Sequence, residues 1–339
     1  MASSNGAAWL KAPKEHPLVV EPAPYPTPGD KEVIIKVGAI AVNPMDWIIQ
    51  GLTNDLFSWL PYPYIGGTDA SGTVVDVGSN VTKFRAGDRI VAFANCFAGH
   101  GAFQRYVAVH SSVAAPIPGN VSLVDAAVLP MGISSAAVGL YQKDMLALQY
   151  PTPDGAKPTG QTLLVWAGAS SVGTNALQLA VASGYEVFTT ASPRNFDYCR
   201  SLGAARVFDY KSPTVVTDIV AAFKGKTCAG ALAVQSGTAE ICGEIVSQIE
   251  GNKFVAMAET TPATMPEGVT AKALIANTIR ESEVGAAIFD GFLPQALAKG
   301  QYQCQPPAVV VGEGLGAVQE ALDRLRSGVA SAQKLVVTL

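Results

Sequence analysis

Six residues, Gly168-Ala169-Ser170-Ser171-Val172-Gly173, form the stretch whose types and spacing point most directly to chemistry. They fit G-x-G-x-x-G with Ser170 standing at the middle glycine. In such a turn the first glycine permits a tight bend and the last lets helix and strand pack closely. The helix N-terminus directs free N–H groups and a positive partial charge at a pyrophosphate. Ser170 keeps the middle position small, and its hydroxyl can bond a phosphate oxygen. Gly168, Ser170, Ser171, Val172 and Gly173 are therefore candidate ligands of a dinucleotide. The same small residues also suit an ordinary strand-to-helix turn, so the flanks decide.

On one side Thr162–Trp166 is a short apolar run, as expected for a strand buried on both faces. On the other, Val172, Ala176, Leu179 and Ala180 recur at helical spacing. Folds that hold NAD place an acidic residue about 20 residues past the glycines, on the ribose hydroxyls. This chain has Thr189-Thr190-Ala191-Ser192-Pro193-Arg194-Asn195 there, without Asp or Glu. Ser192 can donate to a 2′-phosphate and Arg194 can pair with it, whereas a carboxylate would repel that dianion. The pattern points to NADP(H) over NAD(H); a helix cap and a solvated charge would use the same two residues.

The elements that must position these residues follow from the chain as a whole. Its 339 residues lead us to expect two domains. A hydrophobic fraction of 49% with 15% charged residues describes well-buried cores, and a net charge of −4 gives no reason to expect nucleic acid or an anionic membrane. No apolar run reaches the length of about 18 residues that would cross a bilayer. The five cysteines are scattered without a C-x-x-C pair, which argues for a reducing compartment and no disulfide framework. With no basic-then-apolar leader in residues 1–17, the expectation is a cytoplasmic protein.

Residues 1–127 are strand-rich: Glu32–Val37, Thr73–Val77, Ile90–Phe93 and Ala102–Val109, with turn signals at the spacing of a compact barrel-like domain. Ser134–Leu148 reads as a long helix of small residues. From Thr162 strands and helices alternate through Glu186–Thr190, Arg206–Phe208, Ala231–Val234 and Phe254–Met257, with Ala273–Ala276 a sixth strand. Ser212 is expected to cap a helix running to Phe223. Such alternation gives right-handed crossovers and a doubly wound parallel sheet over 128–280. Residues 281–339 return to a mixed pattern and are expected to complete the first domain. The fold class is thus α/β, a Rossmann-type doubly wound sheet beside a β-rich, barrel-like domain.

This layout resembles the medium-chain dehydrogenase/reductase superfamily, whose β-rich domain is GroES-like. The local carriers of the resemblance are Val42-Asn43-Pro44-Met45-Asp46, Gly67-Thr68-Asp69-Ala70-Ser71-Gly72, Phe84-Arg85-Ala86-Gly87-Asp88-Arg89, Leu202-Gly203-Ala204 with Asp209-Tyr210, and Lys334-Leu335-Val336-Val337. They are similar to the zinc-independent quinone and enoyl reductase branch, and most of all to fungal reductases that serve polyketide synthases in trans. The resemblance implies a role for Tyr210 at the 2′-phosphate and for Asn43 near the nicotinamide and the substrate carbonyl. Asn43 also suits a turn before Pro44.

Zinc enzymes of the superfamily hold their metal with Cys, His and Cys or Asp. Where the first Cys region lies this chain has Asn43-Pro44-Met45-Asp46, and where Gly-His-Glu would stand it has Gly67-Thr68-Asp69; Thr is a poor zinc ligand. The structural-zinc lobe needs four closely spaced cysteines, and only Cys96 falls in that region. No metal is expected. The tyrosine proton donor of many enoyl reductases is missing after the N-P-x-D motif, where Gln50-Gly51-Leu52-Thr53 stands; Tyr62 and Tyr64 lie nearby in sequence. Leu52, Leu56, Phe57, Trp59 and Leu60 suit either an apolar substrate pocket or a core. The implied activity is NADPH-dependent reduction of an activated C=C bond in a free or carrier-bound enoyl substrate, with a polyketide synthase as partner. Quinone reduction, or NADPH binding without catalysis, stays open beside it, as does monomer or homodimer.

Overall fold

The computed structural model describes residues 4–259 and 263–339, save the side chains of residues 52–56 and 98. It divides the chain into two units, Met1–Met131 with Leu297–Leu339, and Gly132–Ala296. The return to the first unit falls at Leu297 rather than near residue 281. The intervening stretch carries Val284, Ile288, Phe289, Phe292, Leu293 and Ala296, all buried. An apolar helical run of that density stays with the core it covers.

Eight strands precede the first crossing. They are β1 (Asn5–Leu10), β2 (Val19–Ala23), β3 (Glu32–Ala41), β4 (Tyr64–Ile65), β5 (Asp69–Val77), β6 (Arg89–Phe93), β7 (Tyr106–His110) and β8 (Ala114–Pro116). β3 organises this unit. Along one side it pairs with β5 over its whole length; along the other it pairs first with β7 and then with a strand from the C-terminal end of the chain. One strand can serve three partners because the ladder to β5 shifts register twice, at Ile34/Ile35 and Val37/Ala39, and bulges bend a strand. At the second shift the backbones close in: a Cβ on Gly72 would lie 2.2 Å from the Lys36 carbonyl oxygen. Val33, Ile35, Val37 and Ile40 face the core with Val74, Ile90, Ala92 and Val107. The helix α1 (Pro44–Leu56) follows β3 directly, with Asp46 in its first turn. Two further helices, α2 (Leu123–Ala126) and α3 (Pro130–Tyr141), carry the chain onward. The run Leu123–Tyr141 is apolar and long enough to cross a membrane by length and composition, and it is mostly buried within the protein.

The second unit holds β9 (Gln161–Trp166), α4 (Ser171–Ala182), β10 (Glu186–Ala191), α5 (Phe196–Ser201), β11 (Arg206–Asp209), α6 (Val215–Ala222), β12 (Thr227–Ala233), α7 (Ala239–Ser247), β13 (Phe254–Met257) and β14 (Thr270–Ala273). The six strands lie in the order β11-β10-β9-β12-β13-β14, every pairing parallel. This is the doubly wound sheet the alternating pattern predicts. The strand order reverses between β9 and β12, and ligands of such sheets bind beyond the carboxyl ends of the strands at that point. The sixth strand ends at Ala273 instead of beginning there. The helix after β11 starts with Thr214 at its N-cap and no side-chain cap; Ser212 instead accepts from Thr214 N at 3.3 Å, two residues too early to be the cap.

The chain returns through β15 (Ala308–Glu313), α8 (Ala317–Arg326) and β16 (Lys334–Thr338). β16 lies between β15 and β3, so the last residues of the chain sit inside the first unit's sheet.

Candidate functional site

The glycine-rich turn joins β9 to α4 as its spacing predicts. Gly168 and Gly173 are required by contact: a Cβ at Gly168 would meet Thr189 Oγ1 at 2.1 Å, and one at Gly173 would meet the Ala167 carbonyl oxygen at 2.1 Å. The left-handed residue of the turn is Ala167, with φ of 66°, a conformation that costs a non-glycine residue about 1 kcal/mol or more. Its N–H is held by Thr190 Oγ1 at 2.9 Å. Ser170 is the helix N-cap. Its hydroxyl donates to Ala167 O at 2.7 Å and accepts from Gly173 N at 3.1 Å. The Ser170 hydroxyl is thus engaged within the turn, while Ser171 Oγ is buried without a hydrogen-bond partner. Ser171 and Val172 open the helix, where backbone N–H groups lack intrahelical acceptors. An orphaned hydroxyl beside two free N–H groups and a helix N-terminus fits a pyrophosphate.

The parallel register of β10 with β11 pairs Ala191 with Asp209. Ser192 and Tyr210, each one residue further on, are thereby brought to the same edge. Ser192 Oγ accepts from Asn195 Nδ2 at 3.2 Å, which leaves its own hydrogen to donate. Arg194 is exposed on the short turn after Ser192. Tyr210 is 41% exposed, with the Lys211 ammonium 5.7 Å from its ring centroid. The Asp209 carboxylate at this edge accepts from Lys211 N at 3.0 Å. Ser192, Arg194, Tyr210 and Lys211 form a donor-rich, cationic edge that fits a ribose 2′-phosphate.

In the first unit Asn43 lies in a buried polar cluster assembled from four segments. It follows β3; Thr68 and Asp69 lie at the start of β5; Asp46 is in the first turn of α1; and Lys334 opens β16. The Lys334 ammonium donates to Asn43 Oδ1 and pairs with Asp69 Oδ2 at 2.9 Å. Asn43 Nδ2 donates to Thr68 Oγ1 at 3.1 Å and to Asp69 Oδ2 at 3.0 Å. Asp69 Oδ1 accepts from Met131 N at 2.6 Å. Asp46 accepts from Asn43 N at 2.7 Å, and burial pushes its carboxyl up to about 7, against those backbone hydrogen bonds and the Lys334 charge. Both amide hydrogens of Asn43 are therefore spent inside the protein, and in this arrangement the side chain has no N–H for a substrate carbonyl. Lys334 and Asp46 are absent from the sequence-derived site; the available signal was a lysine opening an otherwise apolar strand, Lys-Leu-Val-Val.

These residues do not fit zinc. Of the stretches matched to zinc ligands, Asn43 offers an amide and Thr68 a hydroxyl, Asp46 is engaged by Asn43 N, and Asp69 is already paired with the Lys334 ammonium. Among the described residues no group of three or more His, Cys, Asp or Glu could hold a metal ion.

Tyr64 packs with Leu10, Ile49, Leu60 and Cys96, Tyr62 against them. Burial and the neighbouring Cys96 push the Tyr64 hydroxyl far above its usual range, which makes it a poor acid. Leu60 is core, while Trp59 is 59% exposed, its ring 5.3 Å from that of Phe97 and 6.2 Å from that of Phe57. The side chains of Leu52 and Leu56 lie outside the described residues. A cavity of about 350 Å³ lined by Trp9, Pro24, Pro61, Tyr64, Phe97 and His100 includes none of Asn43, Thr68 or Asp69.

Residues 29–119 match the alcohol dehydrogenase GroES-like domain family. Dehydrogenase azaJ of Aspergillus niger is 48% identical, over 96% of this chain and 96% of its own. The zinc-binding alcohol dehydrogenase domain-containing protein cipB of Emericella nidulans is 43% identical, over 99% and 98%. Trans-enoyl reductase himH of Aspergillus japonicus is 38% identical, over 99% and 97%. Among solved structures, an alcohol dehydrogenase superfamily protein from Novosphingobium aromaticivorans superposes with TM-score 0.81 at 23% identity, and the CurK enoyl reductase with 0.77 at 18%, each covering 99% of both chains. The chain belongs to the medium-chain dehydrogenase/reductase family, with fungal dehydrogenases and trans-enoyl reductases as its relatives. It is an oxidoreductase fold built for a nicotinamide cofactor.

Proposed function

We propose that the protein is an NADPH-dependent reductase of an activated C=C bond, an enoyl thioester or polyketide-type α,β-unsaturated carbonyl, working without zinc. The observation that carries this reading is the Asn43–Thr68–Asp69–Lys334 cluster, in which an amide, a hydroxyl and a carboxylate already paired with the Lys334 ammonium stand where a metal-donor set would. Without a Lewis acid, an alcohol or ketone oxygen is hard to polarise. Conjugate addition asks less, because the charge spreads onto the carbonyl oxygen, where backbone N–H groups can meet it.

NADPH, when bound, supplies the hydride. The start of α4 and Ser171 would hold its pyrophosphate; Ser192, Arg194 and Tyr210 would hold its 2′-phosphate. Asn43 would orient the substrate as a fixed surface rather than as a donor to the carbonyl, since both its N–H groups are engaged. With Tyr62 packed against the Leu10–Tyr64 cluster and Tyr64 a poor acid, the α-carbon would take its proton from solvent. Relatives named trans-enoyl reductases support an enoyl substrate; that it is carrier-bound, delivered by a polyketide synthase and met in the cytoplasm is part of the same proposal.

The test is turnover of 4-deuterated NADPH with an enoyl thioester, an enone and a quinone. Label at the β-carbon is expected. Turnover of the quinone alone makes the protein a quinone reductase, label at a carbinol carbon an alcohol dehydrogenase, and binding without turnover an accessory NADPH-binding protein.

A further inference from the structure

We propose that Lys334 is a positioning residue for the reaction: its ammonium sets which way the Asn43 amide faces, so that a protein-borne cation organises the cluster. The claim about turnover rests on the reductase reading above; the claim about the amide does not.

The two ends of an asparagine amide are nearly the same size, so packing alone does not decide its orientation. An ammonium has three donors and no acceptor, so the amide end that meets Lys334 must be Oδ1. That choice sends Nδ2 to Thr68 Oγ1 and Asp69 Oδ2. Flipped, the amide would set N–H groups against an ammonium and leave its oxygen facing a carboxylate. Lys334 is 4% exposed and Asp69 fully buried, so little water is present to screen either contact. The same carboxylate holds Met131 N at the start of α3. One lysine on the last strand thus ties the turn after β3, the start of β5 and the first turn of α3 into one arrangement. Asn43 and Lys334 are 291 positions apart in the sequence.

The experiment uses the full-length protein and four forms: wild type, Lys334→Met, Lys334→Arg and Lys334→Ala with or without ethylammonium. The first readout is hydrogen exchange of the Asn43 side-chain amide by NMR. In wild type it should be slow; in Lys334→Met it should be faster by about tenfold to a hundredfold, the worth of a hydrogen bond to a charged group. Lys334→Arg keeps the charge and should stay near wild type. The second readout is kinetic. In Lys334→Met, kcat should fall by about the same factor while KM for NADPH stays within about twofold, because the phosphate contacts lie elsewhere in the chain. Ethylammonium should restore Lys334→Ala, and sodium at equal ionic strength should not. An Asn43 amide that exchanges alike in wild type and Lys334→Met overturns the proposal, as does an Arg variant that behaves like Met. Should Lys334→Met fail to fold, the Arg variant and the ammonium rescue decide, and absence of both effects overturns it. If wild type turns over no conjugated acceptor, the reductase reading falls while amide exchange still decides the role of Lys334.

Discussion

The glycine-rich turn and the cluster around Asn43 differ in how far apart their residues lie. The turn is written in one continuous stretch, and its shape comes from backbone closeness: two absent Cβ atoms and one capping hydroxyl. The cluster draws on residues from 43 to 334 and is held by charge in a buried setting. A local device can lose one contact and keep its form. A buried ionic device cannot, because each partner removed leaves another charge or donor without compensation. Substitutions in the cluster should therefore act more strongly than substitutions around the turn.

The largest effect is expected at Lys334. Replacing it by Met leaves Asp69 buried without its cation and should cost about 3–5 kcal/mol of stability. Pairing it with Asp69→Asn should return much of that loss. Urea denaturation of the single and double variants checks both, and additive losses would show that the two side chains do not act as a pair.

Asp46 gives the next effect, through pH. Its folded-state pKa of about 7 lies above the usual carboxylate value, so the folded protein binds the proton more tightly than the unfolded chain. That contribution is fully present below about pH 4 and is lost as pH rises through about 7. Asp46→Asn should remove it, so the stability of the variant relative to wild type should climb between those limits, by on the order of 3 kcal/mol. Parallel stability curves across that range would place the Asp46 pKa near normal.

At the cofactor edge, Arg194→Ala should weaken NADPH binding by about 1.5–3 kcal/mol and barely change NADH. Calorimetric titration with both nucleotides measures it; equal losses would make Arg194 structural. The smallest effect is expected within the turn. Ser170→Ala removes the N-cap of α4 and should cost about 0.5–2 kcal/mol of stability, with NADPH affinity reduced only to the extent that the helix start frays. A larger loss of affinity than of stability would mean that the Ser170 hydroxyl reaches the phosphate after leaving Ala167.

Much of the fold was legible because its signals are periodic and local. Alternating apolar strands and helices from Thr162 onward gave the doubly wound sheet, and the β-rich start gave the first unit. The end of that reading came at segments whose fate depends on distant neighbours. The long helix expected over Ser134–Leu148 runs instead from Pro130 to Tyr141, and Ser212 sits too early to cap α6, since propensity and capping residues alone do not place a terminus. The return point at Leu297 depended on which core residues 281–296 would cover.

The sequence by itself placed the candidate cofactor residues: Gly168 and Gly173 act by lacking a Cβ, Ser170 by capping α4, and Ser192 and Arg194 lie a fixed distance beyond them, just past the next strand. Tertiary structure decided what each hydroxyl and amide has left to offer. It engaged the Ser170 hydroxyl and left that of Ser171 free, and it spent both Asn43 hydrogens on Thr68 and Asp69. It also carried Lys334 to Asn43, because β16 pairs with β3 only after the whole second unit has been traversed. Sequence spacing reports the reach of a few residues along the backbone, while a buried charge finds its partner through a fold that closes across the entire chain.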